Sequence, residues 1–317
     1  MDKIQLNSPL PPQIITILGP TASGKTAFAA SLASRLDAEI ISADSRQVYR
    51  SMDIGTGKDM AEYTVDGHTI PTHLIDICEA GEKYNLHRYQ HDFFDAYMSI
   101  TARGKLPILC GGTGMYIEAA INAYNLPDAP PNPALRQSLR GVSLAGLSAI
   151  LASYKSLHNT SDLDSTRRAI RAIEIEEYKR IHGDSTTTYQ PLRSHTIGLT
   201  VDRDTRRRRI TERLYRRIEQ GMIDEVRRLL ASGISPEDLI YYGLEYKYIT
   251  LYLTGRLEYR PMLTQLETAI HQFAKRQMTW FRGMEKRGTT ITWQPQPEPA
   301  AILYEIQSLH PSTTYDM

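Results

Sequence analysis

ILGPTASGKTAFA, residues Ile17 to Ala29, decides the fold. Within it, Gly19-x4-Gly24-Lys25-Thr26 has the spacing of a phosphate-binding loop. The flanks supply the context such a loop needs. QIITIL (Gln13 to Leu18) is a β-branched run that reads as a buried strand, and KTAFAASLASRL after the loop has helical composition. In such a turn, glycines let backbone N–H groups converge on phosphate oxygens at a helix N-terminus. Lys25 adds a point charge, and a threonine at position 26 is the usual Mg²⁺ ligand. Which phosphate the loop holds is the question the rest of the chain must answer.

Outward from the loop the pattern repeats. AEIISAD (Ala38 to Asp44) is a second buried strand, and NLHRYQHDFFDAYMSITARG carries aromatics at helical spacing and stops at Gly104. LPILCGG (Leu106 to Gly112) is a third strand and TGMYIEAAINAY a third helix. Strand and helix alternating at this spacing imply an α/β fold, a doubly wound parallel sheet with crossover helices. NLPDAPPNPALR then interrupts with four prolines, and from Pro133 to about Thr188 the sequence is helical without a convincing strand. Strand character returns in HTIGLTVD (His195 to Asp202) and in TTITWQ near the C-terminus. The expected organisation is a P-loop core (1–128), a helical insertion domain (129–194), and the second part of the core with C-terminal helices and tail (195–317).

Composition narrows the class. The chain has 317 residues, 41% hydrophobic and 23% charged, with a formal net charge of +1, so no global charge demands a polyanion. Two cysteines without paired spacing argue against a disulfide framework and for a reducing cytoplasm, with Cys110 read as a buried thiol. No apolar run approaches a membrane span and the first twelve residues lack signal-peptide character, so a cytoplasmic protein is expected. His87 and His91 lie four apart on a helix but have no third ligand nearby, and read as ordinary surface histidines. The last residues, HPSTTYDM, read as a frayed end.

Asp44 ends the second strand beside the phosphate loop, where ligands bind in open parallel sheets. It can accept a proton there, or cap the next turn. The third strand ends in Gly-Gly-Thr with no acid before Glu118, which weakens an NTP-hydrolysing reading. GPTASGKT, ISADSRQVYRSMDIGTGK, HLIDI, GGTGMY, RRAIRAIEI (Arg167 to Ile175) and KRQMTWFRG (Lys275 to Gly283) follow in order along almost the whole chain. Together they resemble the tRNA dimethylallyltransferases, also called tRNA isopentenyltransferases, of the bacterial type. The zinc finger of the eukaryotic branch is missing, since no Cys-x2-Cys occurs.

The resemblance implies transfer of a dimethylallyl group from dimethylallyl diphosphate to N6 of the adenosine immediately 3′ of the anticodon, position 37. The substrates would be tRNAs reading codons that begin with U. Gly19, Thr21, Ala22, Ser23, Gly24, Lys25 and Thr26 would cradle the diphosphate, with Thr26 on Mg²⁺. Asp44 would be the general base and Thr113 would help hold the amine, while also serving as a helix N-cap. Asp44, Ser45, Arg46 and Gln47 would line the tRNA side. The anticodon stem-loop must offer its adenine flipped out. A monomer is expected.

Local basic clusters would grip the RNA. In VDRDTRRRRITERLYRRIEQG, Arg206, Arg209, Arg213 and Arg217 fall along one helical stripe and Ile210, Leu214 and Ile218 along another. The family's Arg-Ile-x-x-Arg pattern assigns a reaction-centre arginine to Arg209 or Arg213; Arg209 is the expectation, with Arg213 open. Arg136, Arg167, Arg168 and Arg171 on the insert match tRNA contacts of the family. Lys275, Arg276, Gln277, Trp280 and Arg282 give the basic-plus-aromatic mixture that suits unpaired RNA, although Trp280 and Phe281 equally suit a core. In IYYGLEYK (Ile240 to Lys247), Leu244-Glu245 follows Gly243 where many family members have Tyr-Arg. The rivals are a small-molecule or nucleotide kinase of the phosphate-loop class, and a non-catalytic RNA-binding module with a vestigial loop.

Overall fold

The structure, a computed structural model, describes residues 13–156, 163–183, 189–295 and 302. The expectations for the first twelve residues, for the last stretch of the insert and for the C-terminal tail lie outside the described residues. By contact the chain forms two compact units, one of residues 1–123 with 190–317 and the other Tyr124–Tyr189.

The larger unit is built on six strands: β1 (Ile14–Leu18), β2 (Ala38–Ser42), β5 (Thr72–His73), β6 (Leu106–Gly111), β7 (Ser194–Leu199) and β8 (Thr292–Gln294). They pair in the order β5-β2-β6-β1-β7-β8, every pair parallel. A separate antiparallel hairpin joins β3 (Thr64–Val65) to β4 (His68–Thr69). All five residues of β1 and of β2 are buried, as expected of a parallel sheet covered on both faces. One face meets α1 (Lys25–Leu36), where Phe28, Leu32 and Leu36 pack on Ile15, Ile17, Ile40 and Ile108. The alternate set, Ile14, Leu18, Ile41 and Leu109, is also fully buried. α2 (Leu86–Ala102) and α3 (Gly114–Ile121) complete the first half; α7 (Arg203–Glu219), α8 (Met222–Ala231), α9 (Pro236–Tyr241), α10 (Leu244–Leu253) and α11 (Tyr259–Lys286) complete the second. Among the described residues no helix is long and apolar enough to cross a membrane.

Register fixes where the site can form. Leu18 lies opposite Gly111, and Ser42 opposite Cys110, so β1, β2 and β6 end level. Ala43 N–H donates to Cys110 O (2.7 Å) and Thr113 N–H to Ala43 O (3.1 Å), carrying the pairing past the strand ends. Position 111 must be glycine, because a Cβ there would collide with the Ala43 carbonyl. Gly19, Asp44 and Thr113 therefore leave one edge of the sheet together, where open parallel sheets bind ligands.

The smaller unit holds α4 (Pro133–Ser138), α5 (Leu144–Tyr154) and α6 (Thr166–His182). Asn132, Ser143 and Ser165 cap these helices through their side chains. Leu139, Leu147, Leu151, Ala169, Ala172 and Ile173 form its core. Beside the core, the buried Glu174 accepts from Arg136 Nε (2.7 Å) and Nη2 (2.8 Å), Asn132 N–H (2.8 Å) and Arg171 Nη1 (3.3 Å). Arg171 also donates to Ala129 O (2.7 Å), which ties the proline-rich entry to α6.

Burial alone would raise the Glu174 carboxyl, but the bonds from Arg136, Asn132 N–H and Arg171 prevail and hold it below its ordinary 4.5. A carboxyl depressed by folding stabilises above its unfolded pKa, and the contribution disappears as pH falls through the folded value. Glu174→Gln should therefore cost the unit about 2 kcal/mol at pH 7, the worth of a buried charged hydrogen bond. That cost should shrink steadily below pH 4.5, read as hydrogen-exchange protection of α6 amides in wild type and variant.

Candidate active site

The phosphate loop begins at Gly19 and ends where α1 starts. Gly24, left-handed at φ 81°, stands at the N-cap position, and among the described residues no side chain caps the first turn of α1. The donors of that turn are thus left for a ligand, and the helix dipole favours an anion there. Ser23 is buried, and its hydroxyl has no hydrogen-bond partner among the described residues. Burial pushes the Lys25 ammonium down; the Asp44 carboxylate pulls it back up, and Arg213 pushes it further down. Cys110 itself is a buried thiol raised to about 12. Thr26 is half-buried in the first turn.

Gln277 of α11 registers this loop against the sheet. It is 8% exposed; its Oε1 accepts from Thr21 N–H (2.9 Å) and its Nε2 donates to Gly112 O (2.9 Å). Its side chain, expected on the RNA side, is thus occupied inside the protein by two backbone groups. A polar residue on the apolar stripe of a helix was the available signal, but its partners lie 256 and 165 residues away.

Asp44 fulfils the turn reading and keeps an oxygen to spare. Its Oδ1 accepts from Arg46 N–H (2.9 Å), an Asx turn that orients the carboxylate. Thr113 takes the N-cap position of α3, yet its Oγ1 accepts from Ser45 N–H (3.2 Å) rather than from its own helix. One backbone step thus links the two candidate groups. Gln47 continues the wall: Ser42 Oγ donates to its Oε1 (3.3 Å), and its Nε2 donates to Gly57 O (3.2 Å).

Of the two arginines left open on α7, the structure brings Arg213 to the loop and leaves Arg209 exposed. Arg209, the residue expected from the sequence, is thus the exposed one of the pair. Four arginines share a stripe by helical angle, and Arg213 and Arg217 are the two whose guanidiniums lie against Gly57. A Cβ at Gly57 would overlap both guanidiniums. With Thr21 and Glu245 they line a small cavity floored by Ile210, Leu214, Met222 and Ile270. Burial, reinforced by Arg213, brings Arg217 down to about 10, and burial raises the Glu245 carboxyl against the pull of both arginines.

The 53–58 segment is itself pinned by charges that sequence reasoning did not single out. Glu225, 3% exposed, accepts from Asp53 N–H (2.9 Å), Ile54 N–H (2.7 Å) and Gly55 N–H (3.0 Å), and from Tyr246 Oη (2.6 Å). Lys58 buries its ammonium on Tyr49 O, Asp53 Oδ1 (2.9 Å) and Asp76 Oδ1. A carboxylate in the apolar stripe Met222, Glu225, Val226, Leu229 was the legible hint.

The remaining expected RNA contacts divide by placement. On α11, Lys275, Arg276 and Arg282 point to solvent, Phe281 is in the core, and Trp280 is half-buried with Nε1 donating to Glu118 Oε2 (2.7 Å). Glu118, the first acid after the third strand, is also held by Arg287 through Nε (2.8 Å) and Nη2 (2.7 Å). It serves packing between α3 and α11. On the smaller unit Arg167 and Arg168 are exposed, Arg168 pairing with Asp164 (2.6 Å), while Arg136 and Arg171 engage Glu174. His87 and His91 face each other with Nε2 atoms 3.1 Å apart.

Comparison with known proteins identifies what this arrangement belongs to. The family model described as IPP transferase matches residues 47–284, and one described as isopentenyl transferase matches residues 12–68. A tRNA dimethylallyltransferase of Parabacteroides distasonis is 64% identical over 281 residues, 89% of this chain and 92% of its own. One from Porphyromonas gingivalis is 66% identical over 280 residues, 88% of this chain and 93% of its own. The solved tRNA isopentenylpyrophosphate transferase of Bacillus halodurans aligns with a TM-score of 0.67 at 32% identity, covering 94% of this chain and 97% of that one. The chain belongs to the tRNA dimethylallyltransferase family.

Proposed function

We propose that this protein transfers the dimethylallyl group of dimethylallyl diphosphate to N6 of the adenosine immediately 3′ of the anticodon, giving N6-isopentenyladenosine in tRNAs that read codons beginning with U. One observation carries the chemistry beyond family membership. An oriented carboxylate and a threonine hydroxyl, joined through Ser45, stand level with an uncapped phosphate loop. A leaving diphosphate and an amine that must lose a proton require that pairing.

In the proposed reaction the N6 lone pair attacks C1 of the dimethylallyl group. The C1–O bond breaks and its electrons leave with the diphosphate. Asp44 takes the N6 proton through Oδ2, since Oδ1 is committed to Arg46 N–H. Thr113 Oγ1 has one lone pair on Ser45 N–H and a second for the other N6 hydrogen, which keeps the amine in line. The α1 first turn, Lys25 and Arg213 neutralise the departing oxygens.

The hydroxyl oxygen of Thr26 fits Mg²⁺, which favours one or two protein oxygens completed by substrate phosphate and water. When bound it would add positive charge to the leaving group. The surfaces of Lys275, Arg276, Arg282, Arg167 and Arg168 are assigned to RNA backbone, the smaller unit acting as a tRNA-binding domain of a cytoplasmic monomer. A kinase is not favoured by the family membership.

Purified protein incubated with unmodified tRNA, Mg²⁺ and dimethylallyl diphosphate should yield a five-carbon adduct on adenosine by nucleoside mass analysis. Asp44→Asn should lower kcat by at least a hundredfold, the order of a lost general base. Absence of product in the wild type, with ATP consumed on a small-molecule panel, would restore the kinase reading.

Arg213→Gln should cost roughly a hundredfold in kcat/KM, whereas Arg209→Gln should stay within about threefold, as exposed charges do. Equal losses in the two would refute the assignment. Gln277→Leu, which leaves Thr21 N–H and Gly112 O unpaired, should raise KM for the diphosphate about tenfold; an unchanged KM would show that the loop holds its register without it.

A further inference from the structure

In the segment where this chain departs from the family pattern, Tyr241 is 43% exposed and Arg46 lies over its ring, the guanidinium carbon 5.6 Å from the centroid. Arg46 is the residue whose N–H orients Asp44. An exposed aromatic ring layered with a guanidinium is what proteins present to an unpaired base, because every base has a π face. We infer that Tyr241, layered with Arg46, is the platform on which a nucleobase flanking the target adenosine stacks. This rests on the proposed tRNA substrate and names how that substrate is held.

The ring is positioned rather than loose. Tyr242, the next residue, is 1% exposed; its hydroxyl accepts from Gly81 N–H (2.7 Å) and donates to Glu82 O (2.7 Å). Its ring packs on Tyr49 (4.5 Å) and meets Tyr241 edge-on at 5.9 Å. On the other side Gly243 adopts φ 141°, ψ −173°, a conformation open essentially to glycine alone, and this breaks α9 from α10. The Arg46 side chain runs across the space that glycine leaves, its Nε 3.7 Å from where a Cβ would stand. A second arginine–aromatic pair, Arg276 over Phe273 at 5.9 Å, has no such support. Neighbours three apart on one exposed helix meet whether or not a ligand exists.

The test uses the full-length protein, Tyr241→Ala and Tyr241→Phe, an anticodon stem-loop RNA, and dimethylallyl diphosphate. Tyr241→Ala should raise KM for the RNA on the order of tenfold to a hundredfold, the worth of one base–aromatic stack. Its kcat and its KM for the diphosphate should hardly move, and Tyr241→Phe should stay within about twofold of wild type on all three. In parallel, a stem-loop with 2-aminopurine beside the target adenosine should lose fluorescence on binding wild type and Tyr241→Phe, but not Tyr241→Ala. An alanine variant that binds and quenches like wild type overturns the platform. So does one that loses kcat and both KM values together, which marks a structural role. The fluorescence needs no turnover: Tyr241-dependent quenching without prenyl transfer would sink the proposed reaction and keep the platform, and the converse result would do the opposite.

Discussion

The uncapped first turn of α1 is the constraint around which the larger unit is arranged. A helix that starts at the end of a buried strand presents N–H donors that must find a partner, and among the described residues no side chain caps them here. Lys25 adds a charge that burial disfavours and Asp44 partly compensates. The protein's own groups therefore supply this turn with too few acceptors. An anion at the loop would relieve both costs at once, and the proposed diphosphate site follows from how the chain leaves β1. The candidate base serves here too: Asp44 is the nearby carboxylate that helps keep Lys25 protonated.

Buried carboxylates then fix the parts that must meet this loop. Glu225 gathers the amides of residues 53–55, Glu118 joins α3 to Trp280 and Arg287 on the C-terminal side, and Glu174 closes the entry of the smaller unit. A buried ion pair adds little stability relative to an apolar replacement, because desolvation offsets the attraction. What it does impose is a single geometry, since a shifted backbone would leave a carboxylate unpaired in a dry interior. Residues 53–58 need such a fix, because Gly57 must stay thin against Arg213 and Arg217.

Much of this could be read from the sequence, for reasons that can be named. The strands β1 and β6 are mostly apolar runs, β2 and β7 carry β-branched or apolar residues at their buried ends, and Gly19 to Thr26 announces its own backbone geometry. β5 was not legible: two residues, Thr72 and His73, pair with β2, too few for any periodicity to register. The α7 stripe was legible as a stripe, but helical angle alone cannot separate Arg209 from Arg213 when both lie on it. Contact with a distant segment decides, and nothing local encodes that. Gln277 and Glu225 escaped for a related reason. Their partners are backbone amides and carbonyls, which any residue carries, so sequence cannot name them.

The departure at Leu244-Glu245 tests whether the site tolerates an acid where many relatives carry arginine. Lys25, Arg213 and Arg217 supply three positive groups around the loop, and Asp44 one negative group. Arg217, though lowered to about 10, stays charged at neutral pH. Burial raises the Glu245 carboxyl, while Arg217 and Arg213 pull it back down. The acid costs the site part of its field while giving the buried Arg217 a partner, and Gly243 and Tyr246 on either side keep the backbone path that the segment needs.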